Sequence, residues 1–178
     1  MASQLIVLGT TDLAKILRAS RFALNRLILQ CKIESSISSR SVSGRERLFT
    51  IEDAANLSLA YWLFRAGLHM GAVREFLAVP RLAEFRQRLT SLESIEAEAI
   101  RTPLLVCWGE PTGRKKSGQK KVRGYEVTRN VALCRDIAAV ERTVQDVKQP
   151  AFVVIPLGRV LKELAEKIRS FVTETRVR

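Results

Sequence analysis

The chain has 178 residues, 47% of them apolar, and a formal charge of +12 at pH 7. This is enough for one large domain or two small ones around a buried core. No apolar run approaches the roughly 20 residues of a membrane span. Leu5–Leu8 is too short for a signal-peptide core and has no basic segment before it. These features predict a cytoplasmic protein with no membrane contact. Three cysteines, Cys31, Cys107 and Cys134, form no CxxC pair, so a disulfide framework is not expected.

Charge is unevenly placed. Residues 18–49 carry seven Lys/Arg and two Asp/Glu, and residues 81–103 balance at four and four. Residues 104–178 carry sixteen and eight, and six of those bases fall in RKKSGQKKVR, 114–123. Two positive zones separated by a neutral segment suit polyanionic partners, through phosphate neutralisation and counterion release. A generally basic, solvated surface is the alternative.

In chain order, residues 5–8 read as a short strand. Thr10 or Thr11 can cap a helix from Asp12 to Leu17, whose Leu13, Ile16 and Leu17 follow helical spacing. After Arg18-Ala19-Ser20, Ser20 caps a second helix, Arg21 to Gln30. It buries Leu24, Leu27 and Ile28 and turns Arg21, Phe22, Asn25 and Arg26 outward. Two short helices around a three-residue turn make a helix-turn-helix candidate. A polar loop follows at 34–47. Thr50 and Asp53 form a capping box for a third helix ending at Gly67. A fourth helix spans Met70–Ala78 and stops before Pro80.

Residues 81–101 read as helical, with Leu82, Phe85, Leu89 and Leu92 as a heptad-like seam and a break at a Thr90/Glu93 capping box. Leu104–Trp108 then reads as a strand, 109–121 as a long hairpin loop and 122–129 as a second strand. A helix is expected over 131–147, a strand over Ala151–Pro156 and an amphipathic helix over 159–173. The whole is an α+β chain: residues 1–80, a helical connector 81–103, and a small β-β-α-β-α domain over 104–178.

The first 80 residues resemble the MerR family of winged-helix transcription regulators. The likeness rests on TTDLAKILRASRFALNRLI, on Arg47-Leu48-Phe49-Thr50 followed by Asp53, and on Gly67-Leu68-His69-Met70 followed by Val73-Arg74. It covers residues 5–78. The resemblance implies a winged helix-turn-helix domain that binds double-stranded DNA as a homodimer. The second helix would enter the major groove and the loop after it would form a wing on the backbone. A further contact with RNA polymerase or another protein is also implied.

Arg21 and Phe22 would then open the recognition helix, Arg47 would match the wing arginine, and Arg40 and Arg45 would pair with phosphates. Where the family places an arginine directly after the core leucine, this chain has Asn25. Arg26 lies about 100° further round the helix. Phe22 suits either a core position or a DNA contact, whereas Phe49 reads as a core plug. The basic run 114–123 is either a second DNA contact or a solvated loop.

The family's dimer helix has two candidates, the 82–92 seam and the 159–173 helix. Both stripes could instead pack within the monomer. No catalytic or cofactor site is expected. The single histidine, His69, leaves no His-based triad, and no phosphate-cradling loop is present. Cys107 and Cys134 could form a thiolate site only across subunits, and lone buried cysteines usually act as small hydrophobes. Trp108 and Tyr125 are the only aromatic candidates for an effector pocket. Two alternatives stay open. One is an architectural, partition or mobile-element DNA-binding factor on the same fold. The other is a protein-interaction module with basic faces.

Overall fold

The computed structural model describes residues 6–37, 47–114, 125–147 and 152–176. In chain order the elements are β1 (Leu8–Gly9), α1 (Thr10–Leu17), α2 (Arg21–Cys31), β2 (Leu48–Phe49), α3 (Ile51–Arg65), α4 (Met70–Leu77), α5 (Pro80–Gln87), α6 (Leu92–Arg101), β3 (Leu104–Arg114), β4 (Tyr125–Cys134), α7 (Ile137–Asp146), β5 (Phe152–Ile155) and α8 (Leu157–Arg176). The architecture is α+β, with two small antiparallel sheets, β1-β2 and β4-β3-β5.

Local signals set most of the N-terminal helices. Helix α1 starts at Thr10 rather than Asp12, because the Asp12 carboxylate folds back to accept from Gly9 N at 2.9 Å and makes Gly9 the N-cap. Ser20 caps α2 by accepting from Ala23 N at 3.1 Å. In α3 the capping box is reciprocal: Thr50 Oγ1 accepts from Asp53 N (3.2 Å) and Asp53 Oδ2 from Thr50 N (2.9 Å). Gly67 follows α3 at φ +92°, the left-handed region that glycine enters without strain. His69 caps α4, its Nδ1 accepting from Ala72 N at 3.1 Å.

The segment 81–101 is two helices. Helix α5 ends at Gln87, and α6 restarts behind Ser91 and Ser94, each accepting from the other's backbone N–H at 3.2 and 2.9 Å. The capping pair is therefore Ser91/Ser94, not Thr90/Glu93. Leu82, Phe85 and Leu89 are fully buried and Leu92 nearly so. In α8, Val160, Leu164 and Ile168 are buried as well. Both stripes thus pack inside the chain.

The C-terminal elements depart more from expectation. Strand β3 continues to Arg114, where a loop was expected from 109. It has β5 on one side only over Leu105–Trp108. Pro111 and the register shift between it and Gly113 fall beyond that pairing, where proline and irregular pairing are tolerated. Residues 131–134, expected to be helical, belong to β4, with Val131 opposite Cys107 and Cys134 opposite Leu104. Helix α7 begins only at Ile137, because Asp136 Oδ1 accepts from Ala139 N at 2.7 Å. Helix α8 starts at Leu157, earlier than the 159 expected.

Side chains alternate across the sheet as the pleat requires. Leu105 and Cys107 face the main core, whereas Val106, with Leu104 and Trp108 beside it, faces α7. The main core is one contiguous cluster from Leu8 to Ile168, and α8 packs on α1, α3 and α6. Gly158 makes the α6–α8 approach feasible. Its N–H donates to Pro103 O at 2.9 Å, and an added Cβ would lie 2.4 Å from Ala99 O.

Candidate nucleic-acid interface

Helix α2 is divided by its own periodicity. Leu24, Leu27, Ile28 and Cys31 are buried, on the side that packs against α1, α3 and α4. The opposite arc holds Arg21, Phe22, Asn25, Arg26, Leu29 and Gln30, and it contains no carboxylate. At 100° per residue Phe22 and Leu29 sit near its centre, with Arg21 and Asn25 on one flank and Arg26 on the other. Phe22 is 77% exposed and Leu29 64% exposed, so the core alternative for Phe22 is excluded. Asn25 is half-buried, while Arg21 and Arg26 are exposed. Arg21 occupies the first helical position, where the helix dipole disfavours a cation by about 0.3–1 kcal/mol. Helix stability alone would select an acidic residue there.

The turn into α2 is set by Arg18, in the left-handed conformation at φ 51° as the C-cap of α1. Lys32, at φ 54°, closes the other end of α2 and is exposed. Arg74 on α4 is exposed and close enough to bear on the Cys31 thiol. Reading the sequence in linear order passed over Leu29 and Lys32. The 100° rotation places Leu29 on the exposed arc, whereas the position of Lys32 depends on the left-handed cap.

Arg40 and Arg45 lie outside the described residues, but the base of their loop is well defined. Asp53, 4% exposed, accepts from Ser36 N at 2.9 Å and from Ser36 Oγ at 2.7 Å, besides capping α3. Ser35 Oγ donates to Leu48 O. The residues entering the loop are therefore tied to those leaving it. Phe49 is fully buried beneath this clamp. Arg47 is half-buried, and its Nη1 has no hydrogen-bond partner among the described residues. Leu48 beside it is 39% exposed. The structure thus gathers Arg21, Phe22, Asn25 and Arg26 on one helix face and places Arg47 at the foot of the loop.

Among the described residues, the other candidates do not assemble into sites. Cys107 and Cys134 belong to opposite faces of the sheet and do not converge within one chain. Burial pushes the Cys107 thiol up to about 12, and the Cys31 thiol is also raised by burial against a smaller opposing effect of Arg74. The described residues contain no group of three or more His, Cys, Asp or Glu side chains placed to hold a metal ion. No helix among them is long and apolar enough to cross a membrane. Trp108 packs at the edge of the α7-facing cluster, and the side chain of Tyr125 lies outside the described residues. The basic run 114–123 also lies outside them, apart from the backbone of Arg114. Arg129 is occupied: it pairs with Glu75 at 2.8 Å and lies over the Phe76 ring, joining β4 to α4.

No protein-family model matches the chain, and a search of curated proteins finds no significant match.

Proposed function

We propose that the chain is a sequence-specific DNA-binding transcriptional regulator with a MerR-like winged helix-turn-helix. In this reading α2 enters the major groove, and the loop rooted at Ser36 and Arg47 follows the phosphate backbone. The carboxylate-free, exposed face of α2 carries the proposal. Arg21, Asn25 and Arg26 supply donors for base edges and phosphates, and Phe22 supplies apolar contact of the kind that reads a thymine methyl. The Asp53 clamp fixes the foot of the loop, so Arg47 is presented at low entropic cost. A homodimer on pseudo-palindromic DNA remains part of the proposal. Its contact would use a surface other than the inward stripes of α5, α6 and α8.

The test is selection of bound duplexes from a random pool, followed by affinity measurements at about 50 and 200 mM salt, a range over which phosphate-dominated binding falls steeply. Arg21→Ala should cost about 1–3 kcal/mol on the selected site and relax its preference. Salt-sensitive binding without preference would favour an architectural or partition role. Absence of DNA binding would overturn the proposal. It would favour a protein-interaction module instead, a reading that the exposed Phe22 and Leu29 support.

A further inference from the structure

A cleft of about 150 Å³ opens where the C-terminal end of α1, the second half of α3 and the first half of α8 meet. Its walls combine two kinds of chemistry. Tyr61 and Trp62 line it together with aliphatic side chains, and Arg18, Arg65 and Lys167 bring three cations to it. Among the described residues Glu163 is the one carboxylate that lines it, and that group is already engaged: Arg159 Nε donates to it at 2.8 Å. The Arg159 hydrogen bond, aided by Lys167 and Arg18, holds the Glu163 carboxyl below the usual carboxylate range. Arg18 and Lys167 have no ion-pair partner of their own among the described residues. Arg65 lies over the Trp62 ring at 5.6 Å.

Ser58 also lines the cleft. It is 1% exposed, and its hydroxyl has no hydrogen-bond partner among the described residues. A buried hydroxyl without a partner is uncommon and costs free energy unless something completes it.

We propose that this cleft is a binding site for a small aromatic carboxylate. The volume matches the ~150 Å³ that admits a single benzene-sized ring in an apolar cavity. Tyr61 and Trp62 offer ring faces and edges for stacking. The excess of cations over carboxylates selects an anion, and the Ser58 hydroxyl supplies one directed donor. The site is separate from the exposed arc of α2, and its test involves no nucleic acid.

Benzoate titrated into the full chain, followed by amide and indole resonances in about 150 mM salt, provides the measurement. Saturable shifts should concentrate at Ser58, Trp62 and Val160. Benzamide, the neutral isostere, should bind about tenfold more weakly. Lys167→Gln should weaken benzoate about tenfold and leave benzamide unchanged, a split that general damage to the fold would not produce. Ser58→Ala should weaken both. Equal affinity for benzoate and benzamide would overturn the proposal, as would inorganic phosphate binding as tightly as benzoate. So would the absence of saturable shifts up to roughly 10 mM, a ligand concentration at which even weak single-ring binding registers.

Discussion

Replacing Asp53 with alanine tests how the loop before α3 is held. The carboxylate accepts from Thr50 N, Ser36 N and Ser36 Oγ at 2.9, 2.9 and 2.7 Å. The first contact is half of the α3 capping box, and losing such a cap costs about 1 kcal/mol. The second satisfies a backbone donor with an ionised acceptor, worth about 1.5 kcal/mol at the lower end of the range for charged partners. The third adds little, because Ser36 is exposed and its hydroxyl can turn to water. The expected loss is therefore about 2–3 kcal/mol, a large part of a typical 5–15 kcal/mol stability. Urea denaturation followed by circular dichroism should show the midpoint falling by about 1 M or more, with the slope unchanged. Thr50→Ala removes only the other half of the box and should cost about 1 kcal/mol. If Asp53→Ala costs no more than Thr50→Ala, the clamp onto Ser36 contributes nothing and the account of the loop base is wrong.

Two further outcomes follow from burial. Gly158→Ala should destabilise the chain by about 1–3 kcal/mol, because a Cβ 2.4 Å from Ala99 O and 3.0 Å from Pro103 Cα forces α8 away from α6; a thermal melt within error of the parent chain would contradict that close approach. With its thiol held at about 12, Cys107 should resist a disulfide-exchange reagent at pH 8 in the native chain and react promptly in denaturant. Cys31 and Cys134 are buried free thiols as well, so rapid native labelling of any of the three would refute the burial described.

The sequence was most informative where structure depends on neighbours a few residues apart. Ser20 and Thr50 reveal α2 and α3 because a cap needs only the next three residues. It misled where apolar runs lack a decisive period. Val131-Ala132-Leu133-Cys134 fits a helix or a strand equally well, and pairing with β3 decides between them. Ser91 prevailed over Thr90 because its hydroxyl meets Ser94, a distinction of one residue that propensity does not draw. Within the candidate interface, the outward set on α2 was legible from its spacing. The reach of Asp53 back to Ser36, 17 residues earlier, was not. The α1–α3–α8 cleft was invisible too, because it exists only after residues more than a hundred positions apart have packed together.

The docking of α8 on α1 and α3 also bears on how the chain is made. Helices α1 to α4 emerge from the ribosome first, yet their shared core is completed by Val160, Leu164 and Ile168. Between the appearance of Leu77 and that of Ile168, synthesis at 5–20 residues per second takes roughly 5 to 18 s. Throughout that interval the parts of α1 and α3 that meet α8 have no permanent cover. Newborn chains are thus open to chaperones, to proteases and to one another for far longer than the microseconds in which helices of this length form.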